Sequence, residues 1–275
     1  MATVRHPAVS GLFYPDLRAV LTRNVDELLL RAASRPQRGK LRGVIAPHAG
    51  YVYSGYTAAV GYKLLKDKSY DSVIIVGPSH REYFNGVSIY NGDAFRTPLG
   101  DVDVDHALRE RLVQEWAKIM VTETGHSAEH SVEVQLPFLQ RRLGSFSFVP
   151  IVMGDQRSEL CDRLADAIGK ACADKNVLLV ASSDLSHYHP YKEAVELDRG
   201  VLKEIELYDA DGLMKKLESD EVEACGGGPI VTIMKAARQL GANSSHILHY
   251  CNSGDVSGEK DAVVGYVSAA LFQEE

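Results

Sequence analysis

The four cysteines, Cys161, Cys172, Cys225 and Cys251, form no C-x-x-C pair and no dense framework, which sets aside a disulfide-stapled fold. That usage fits a reducing cytosol, and a cytoplasmic protein is expected. Basic excess is also missing: 30 Lys and Arg face 37 Asp and Glu, for a formal charge of −7, and the pI is near 5.8. A general nucleic-acid binder needs the opposite balance, and no block of Lys or Arg marks a membrane-surface patch. The longest apolar runs, such as Val73 to Gly77 and Val177 to Ala181, fall far short of a bilayer span. The opening residues MATVRHPAVSGLFYP carry no cationic stretch followed by an apolar one, so no signal peptide is expected. Internal repeats, low-complexity tracts and Pro/Gly/Ser-rich linkers are absent. The expectation is therefore one domain spanning residues 1–275.

What is present is ordinary for a globular chain: 275 residues, 45% hydrophobic and 24% charged. Short β-branched runs alternate with longer helical patterns. The expected strands are Arg42 to Ala46, Ser72 to Val76, Val87 to Tyr90, Ser147 to Val152, Val177 to Ala181, Ile247 to Cys251 and Val263 to Ala270. Several are continuously apolar, as a sheet covered on both faces requires. The expected helices are Arg18 to Ala32, Tyr56 to Leu65, His106 to Glu115, Val132 to Leu143, Ser158 to Cys172, Lys192 to Tyr208, Ala210 to Leu217 and Pro229 to Leu240. In the fifth, Leu160, Leu164, Ala167, Ile168 and Ala171 recur at spacings of three and four, giving one buried stripe. The alternation predicts an α/β fold with a mostly parallel or mixed central sheet and helices on both faces. Some antiparallel pairing is expected where the last two strands flank a polar turn.

Ligands in open α/β sheets bind beyond the carboxyl ends of the strands. Three expected strands deliver histidine there. RGVIA runs into Pro47-His48-Ala49-Gly50-Tyr51, SVIIV into Gly77-Pro78-Ser79-His80, and VLLVA into Ser182-Ser183-Asp184-Leu185-Ser186-His187-Tyr188-His189-Pro190. A fourth element, Ala224-Cys225-Gly226-Gly227-Gly228-Pro229, places Cys225 just before a helix start, where dipole and free N–H groups favour thiolate. A small buried apolar cysteine is the alternative, and it is the reading preferred for Cys161, Cys172 and Cys251. In Glu129-His130-Ser131-Val132-Glu133, Ser131 reads as a helix cap. His130 and Glu133 read either as cleft residues or as part of that cap. Asp184 reads as a turn cap or as a carboxylate orienting a histidine. His6, His106, His126, His246 and His249 lack supporting context.

Two imidazoles and a thiolate make a three-ligand site with open positions, suited to Fe(II), copper or zinc. An unligated His187 would serve as acid or base near neutral pH. Tyr51, Tyr53 and Tyr188 would form aromatic walls or simply pack. A competing set takes Cys225 as nucleophile, His187 as its base and Asp184 as orienter, which is hydrolase chemistry. It leaves His48 and His80 without a task. A third class of reading is a module holding a peptide or small molecule in the same cleft.

APHAGYVYSG, GPSH, EHSVEVQLPFLQ, SSDLSH and ACGGGP, in this order, resemble the Memo family, and SGLFYP is similar to that family's opening AGxWY-type signature. The resemblance runs from about residue 5 to 270. It implies a fold like the class III extradiol dioxygenases (LigB-like), with His48 and His80 as the histidine ligands and Cys225 at the place of their carboxylate ligand. It also implies His187 at the catalytic-base position, Asp184 in the same motif, and His130 as a second active-site histidine with Glu133 nearby. Cysteine in place of carboxylate departs from the facial triad that holds Fe(II), so ring cleavage is not simply inherited and copper or redox chemistry gains weight. The resemblance further implies a dioxygenase-like oxidoreductase acting on a small, phenolic-type substrate, or a metal- or peptide-binding adaptor. Prokaryotic members look like the B component of an AmmeMemoRadiSam system, linked to a radical SAM protein and an AMMECR-type protein.

Overall fold

A computed structural model describes residues 2–36 and 39–275. Its elements, in chain order, are β1 (Val4–Arg5), α1 (Arg18–Arg31), β2 (Lys40–Ala46), α2 (Tyr51–Tyr62), β3 (Ser72–Pro78), β4 (Val87–Ile89), β5 (Ala94–Thr97) and β6 (Gly100–Val104). Then come α3 (His106–Glu115), β7 (Met120–Val121), α4 (Leu136–Leu143), β8 (Ser147–Met153), α5 (Ser158–Ala171), β9 (Val177–Ser182) and β10 (His187–His189). The chain finishes with α6 (Tyr191–Glu206), α7 (Ala210–Glu218), α8 (Gly227–Gln239), β11 (Ser244–Asn252), α9 (Ser253–Ser257) and β12 (Val263–Gln273).

The strands form one mixed sheet in the order β1-β5-β6-β8-β3-β9-β2-β12-β10, with β11 on β12 and β4 and β7 branching from β8. The run β6-β8-β3-β9-β2 is parallel throughout, while β12 is antiparallel to both β2 and β11. Successive strand residues point to opposite faces, and the core divides accordingly. Ile45, Ile74, Leu179 and Ala269 pack with α3 and α5 to α8. Their neighbours Val44, Val73, Leu178 and Ala270 pack with α1, α2 and α4. Helices therefore cover both faces, and the central strands read as unbroken apolar runs because neither face meets water.

Five strands lie outside the seven expected. β1, β7 and β10 are two or three residues long, too short for periodicity to register, and β5 and β6 alternate acidic or basic residues outward along a hairpin. The second helix starts at Tyr51, five residues earlier than expected, because Tyr51 N–H donates to the Phe13 carbonyl (2.8 Å) and the chain coils directly off the Gly50 turn. It ends at Tyr62, and Lys63–Leu65 tighten into a 3₁₀ turn. Glu133–Gln135 likewise form a 3₁₀ turn before α4, with Pro137 in the first helical turn. The polar turn before the last strand carries α9, closed by a capping box between Asn252 and Asp255.

Candidate metal centre

Within the sheet, β9 lies between β2 and β3, so the carboxyl ends of three parallel neighbours open on one edge. His48 leaves β2, Asp184 leaves β9 and His80 leaves β3, while Cys225 arrives on the segment that starts α8. His48, His80 and Cys225 offer ligand atoms that all lie within 4.8 Å of one another.

Hydrogen bonds decide which ring nitrogen of each histidine faces inward. The Ser182 hydroxyl donates to the Ser131 carbonyl (2.6 Å) and accepts from Gln135 Nε2 (2.8 Å). Its remaining contact, His48 Nδ1 at 3.0 Å, must then be a donor, which leaves a lone pair on His48 Nε2. His80 Nδ1 lies 2.9 Å from Glu129 Oε1, and a carboxylate accepts, so His80 also presents Nε2. His187 Nδ1 donates to the Leu185 carbonyl (2.8 Å), with the same result. Three imidazoles are thus locked in one tautomer, the arrangement that orients metal-ligating histidines.

Burial keeps His48, His130 and His187 uncharged. His48 is fully enclosed and its pKa lies well below the usual histidine value, first through burial and then through His80, His130 and His187. Burial brings His130 down to about 4 against the pull of Glu129, and lowers His187 as well. Glu129 is held in the charged form: burial would raise it, but the hydrogen bonds from the His80 ring and backbone outweigh this and bring it down to about 2. It accepts the His80 backbone N–H (2.5 Å) on one oxygen, and His80 Nδ1 and the His130 and Ser131 N–H groups on the other. His80, Glu129 and His130 also form a geometric cluster of metal-ligand types. With its oxygens so engaged, Glu129 serves as the support for His80.

Without a metal, the surroundings of Cys225 oppose the helix-start effect. Burial drives its thiol pKa up, the Asp184 charge adds to this, and N–H groups from Asp184 and Gly226 only partly offset it. The Sγ lies 3.1 Å from His48 Nε2, and with the lone pair on nitrogen the sulfur is the donor. Thiol and imidazole therefore meet across a single proton. That proton's place is where a cation fits: the donor set and the tautomers suit a metal held by His48, His80 and Cys225.

Asp184 is buried beside His48. Oδ1 accepts the His48 N–H (2.8 Å) and Oδ2 lies 4.0 Å from His48 Nε2, so it braces His48 rather than capping its own turn. Burial lifts its carboxyl to about 7 against the N–H groups of His48 and Ala49 and the nearby His80. The Cys225–His187–Asp184 set is not assembled: Cys225 meets His48, and His187 is bonded to Leu185. Ser131 donates to the Pro78 carbonyl (2.9 Å) and caps nothing. Glu133 points away from the cleft, holding Arg5, Tyr14 and the Ala8 and Val9 N–H groups. His130 does face the cleft, stacked on His80 with centroids 4.6 Å apart.

The open side is a cleft of about 590 Å³ floored by His48, His80, His130, Asp184 and His187. Phe13, Tyr53, Tyr188 and Tyr266 stand around it, and Ser253, Ser257 and Glu259 reach it from the α9 segment. Tyr51 is not on the wall: it is buried, and its hydroxyl donates to the Val134 carbonyl. Sequence reasoning did not single out Glu129, Ser182, Gln135 or the α9 residues. Glu129 sits inside the EHSVEVQLPFLQ segment, and its adjacency to His130 was the available signal. Cys161 and Cys172 are fully buried, with thiols raised to about 12 by burial. Cys251 touches Thr57, and His106, His246 and His249 engage residues away from the cleft.

The family model described as "Memo-like protein" matches residues 5–270. Similar chains include MEMO1 family proteins from Aeropyrum pernix, 41% identical over 96% of this chain and 98% of that one, and from Methanosarcina mazei, 39% identical over 98% and 99%. One from Sulfolobus acidocaldarius is 38% identical over 96% and 98%. A crystal structure of an uncharacterized protein, JW3007 of Escherichia coli K12, shares the fold with a TM-score of 0.54 at 14% identity, covering 84% of this chain and 100% of that one. By sequence over nearly its whole length, the chain belongs to the Memo-like family.

Proposed function

We propose that the chain is a metal-dependent oxidoreductase of dioxygenase-like type, holding Fe(II) or copper on His48, His80 and Cys225 and acting on a small phenolic substrate. The observation that carries this reading is the set of inward lone pairs on His48 and His80 beside the Cys225 sulfur. A bound metal of this class supplies Lewis acidity and redox chemistry with oxygen. The chain's own residues do the rest. His187 presents Nε2 at the cleft and takes the proton from a substrate phenol, leaving a phenolate oxygen. Its depressed pKa keeps it free to do so at neutral pH. Glu129, Ser182 and Asp184 hold the ligating histidines in place, and Phe13, Tyr53 and Tyr266 flank the ring and exclude water from one side.

No helix among the described residues is long and apolar enough to cross a membrane. The proposal includes a cytoplasmic location and a functional link to a radical SAM protein and an AMMECR-type protein. The test is anaerobic purification with metal analysis of wild type, His48→Ala and Cys225→Ala. Loss of metal in both variants is expected, and unchanged content in both would sink the assignment. Oxygen uptake with Fe(II)- or Cu(I)-loaded protein and a catechol panel separates turnover from a binding scaffold.

A further inference from the structure

The cleft over the metal centre has an unusual charge make-up. Among the described residues, no lysine or arginine lines it, and outside the buried Asp184 its one carboxylate is Glu259 at the rim. Glu259 has no ion-pair partner among the described residues, and the adjacent Lys260 is turned away, its ammonium 4.4 Å above the Tyr191 ring. A site for a carboxylate or phosphate substrate would be expected to carry Arg or Lys. Four aromatic residues, Phe13, Tyr53, Tyr188 and Tyr266, stand at the same cleft.

Tyr188 is held there against backbone preference. Its φ is +63°, in the left-handed region that strains a bulky residue. It interrupts the β10–β12 register between His187 and His189, and the ring is left 74% exposed. Its aromatic contact among the described residues is an edge-to-face approach to His187, with centroids 5.8 Å apart, which leaves most of the ring free for a ligand. Aromatic faces near a carboxylate attract an ammonium group, and the nearby Arg81, whose charge is felt at His130, is not among the cleft's lining residues.

We propose that this cleft is specific for a small amine: a phenolic ring directed at the metal centre, with a side-chain ammonium bound by Glu259 and the Tyr188 and Tyr53 faces. The inference rests on the phenolic-substrate reading and names its charge class.

The test uses protein loaded with redox-silent Zn²⁺ and isothermal titration of two matched phenols, tyramine and 3-(4-hydroxyphenyl)propionate. Tyramine is expected to bind about tenfold tighter, the product of one exposed ion pair and one cation–π contact. Glu259→Gln and Tyr188→Asn, the latter tolerating the left-handed backbone, should each shrink the difference to about threefold. Equal affinities, a preference for the acid, or a preference untouched by both substitutions would overturn the proposal while leaving the phenol site standing. Binding of neither phenol would overturn the phenol site and this inference together.

Discussion

Glu129 is the residue whose replacement should disturb both the fold and the metal centre. Its two oxygens accept four hydrogen bonds from His80, His130 and Ser131 inside the protein. In Glu129→Gln one oxygen becomes an amide that can only donate. If it takes the place of Oε2 it confronts the His80 N–H, and if it takes the place of Oε1 it confronts three donors. The milder case loses one charge-assisted bond and leaves two buried donors facing each other, about 3–5 kcal/mol. For a chain of this size that lowers Tm by about 6–12 °C. His80 also loses its fixed orientation, which should weaken metal affinity about 10- to 100-fold. Thermal unfolding of metal-free protein and an anaerobic Zn²⁺ competition titration read the two effects separately. A Tm within about 2 °C of wild type together with unchanged affinity would refute the reasoning.

Glu133→Gln supplies the contrast. It breaks the buried bonds to Arg5, Tyr14 and the Ala8 and Val9 amides, and should cost about 3 kcal/mol while metal affinity stays within about twofold in the same titration. Gly77→Ala places a Cβ 2.5 Å from Ser131 Oγ and 2.9 Å from its Cβ, so Ser131 must shift off the Pro78 carbonyl. A loss of about 1–3 kcal/mol is expected in urea denaturation. His126 is buried, and burial followed by the Arg5 charge holds it at about 3, below the ordinary 6.5. Its unfolded form takes up a proton below 6.5 while the folded form does not, so stability is complete above that pH and falls by about 1.4 kcal/mol per unit down to about 3. Denaturation midpoints between about pH 7 and 5 should show that slope reduced by one proton in His126→Gln; an unchanged slope would contradict it.

Much of this architecture was legible in the residues. The runs SVIIV and VLLVA could only be central strands, because both faces of each are apolar, and residues just past the end of a central parallel strand face the ligand edge. That placed His48, His80 and Asp184 correctly relative to the sheet. Less could be read where an interaction joins distant segments. The start of α2 at Tyr51 depends on the Phe13 carbonyl, which no local pattern contains. Glu129 and Glu133 look alike in EHSVEV, yet one supports His80 and the other anchors the N-terminal segment. Glu129 lies on the segment ahead of the 3₁₀ turn, whereas Glu133 opens that turn. The surroundings of Cys225 were hidden for a similar reason: the helix start was visible, but the approach of Asp184 and His48 to its sulfur was not.

The bond between Cys225 and His48 spans 177 residues of chain, and this has a consequence for how the molecule assembles. A metal ion that closed so long a loop early would oppose a large chain entropy with only two or three ligands. The sheet must bring β2, β3 and β9 side by side first, and the donors converge only afterwards. An ion held by these residues would thus be a late arrival on a finished scaffold, in contrast to zinc fingers, whose folding the metal drives. A chelator should therefore empty the site and leave the far-ultraviolet circular dichroism unchanged, and refolding rates should not depend on whether metal is present.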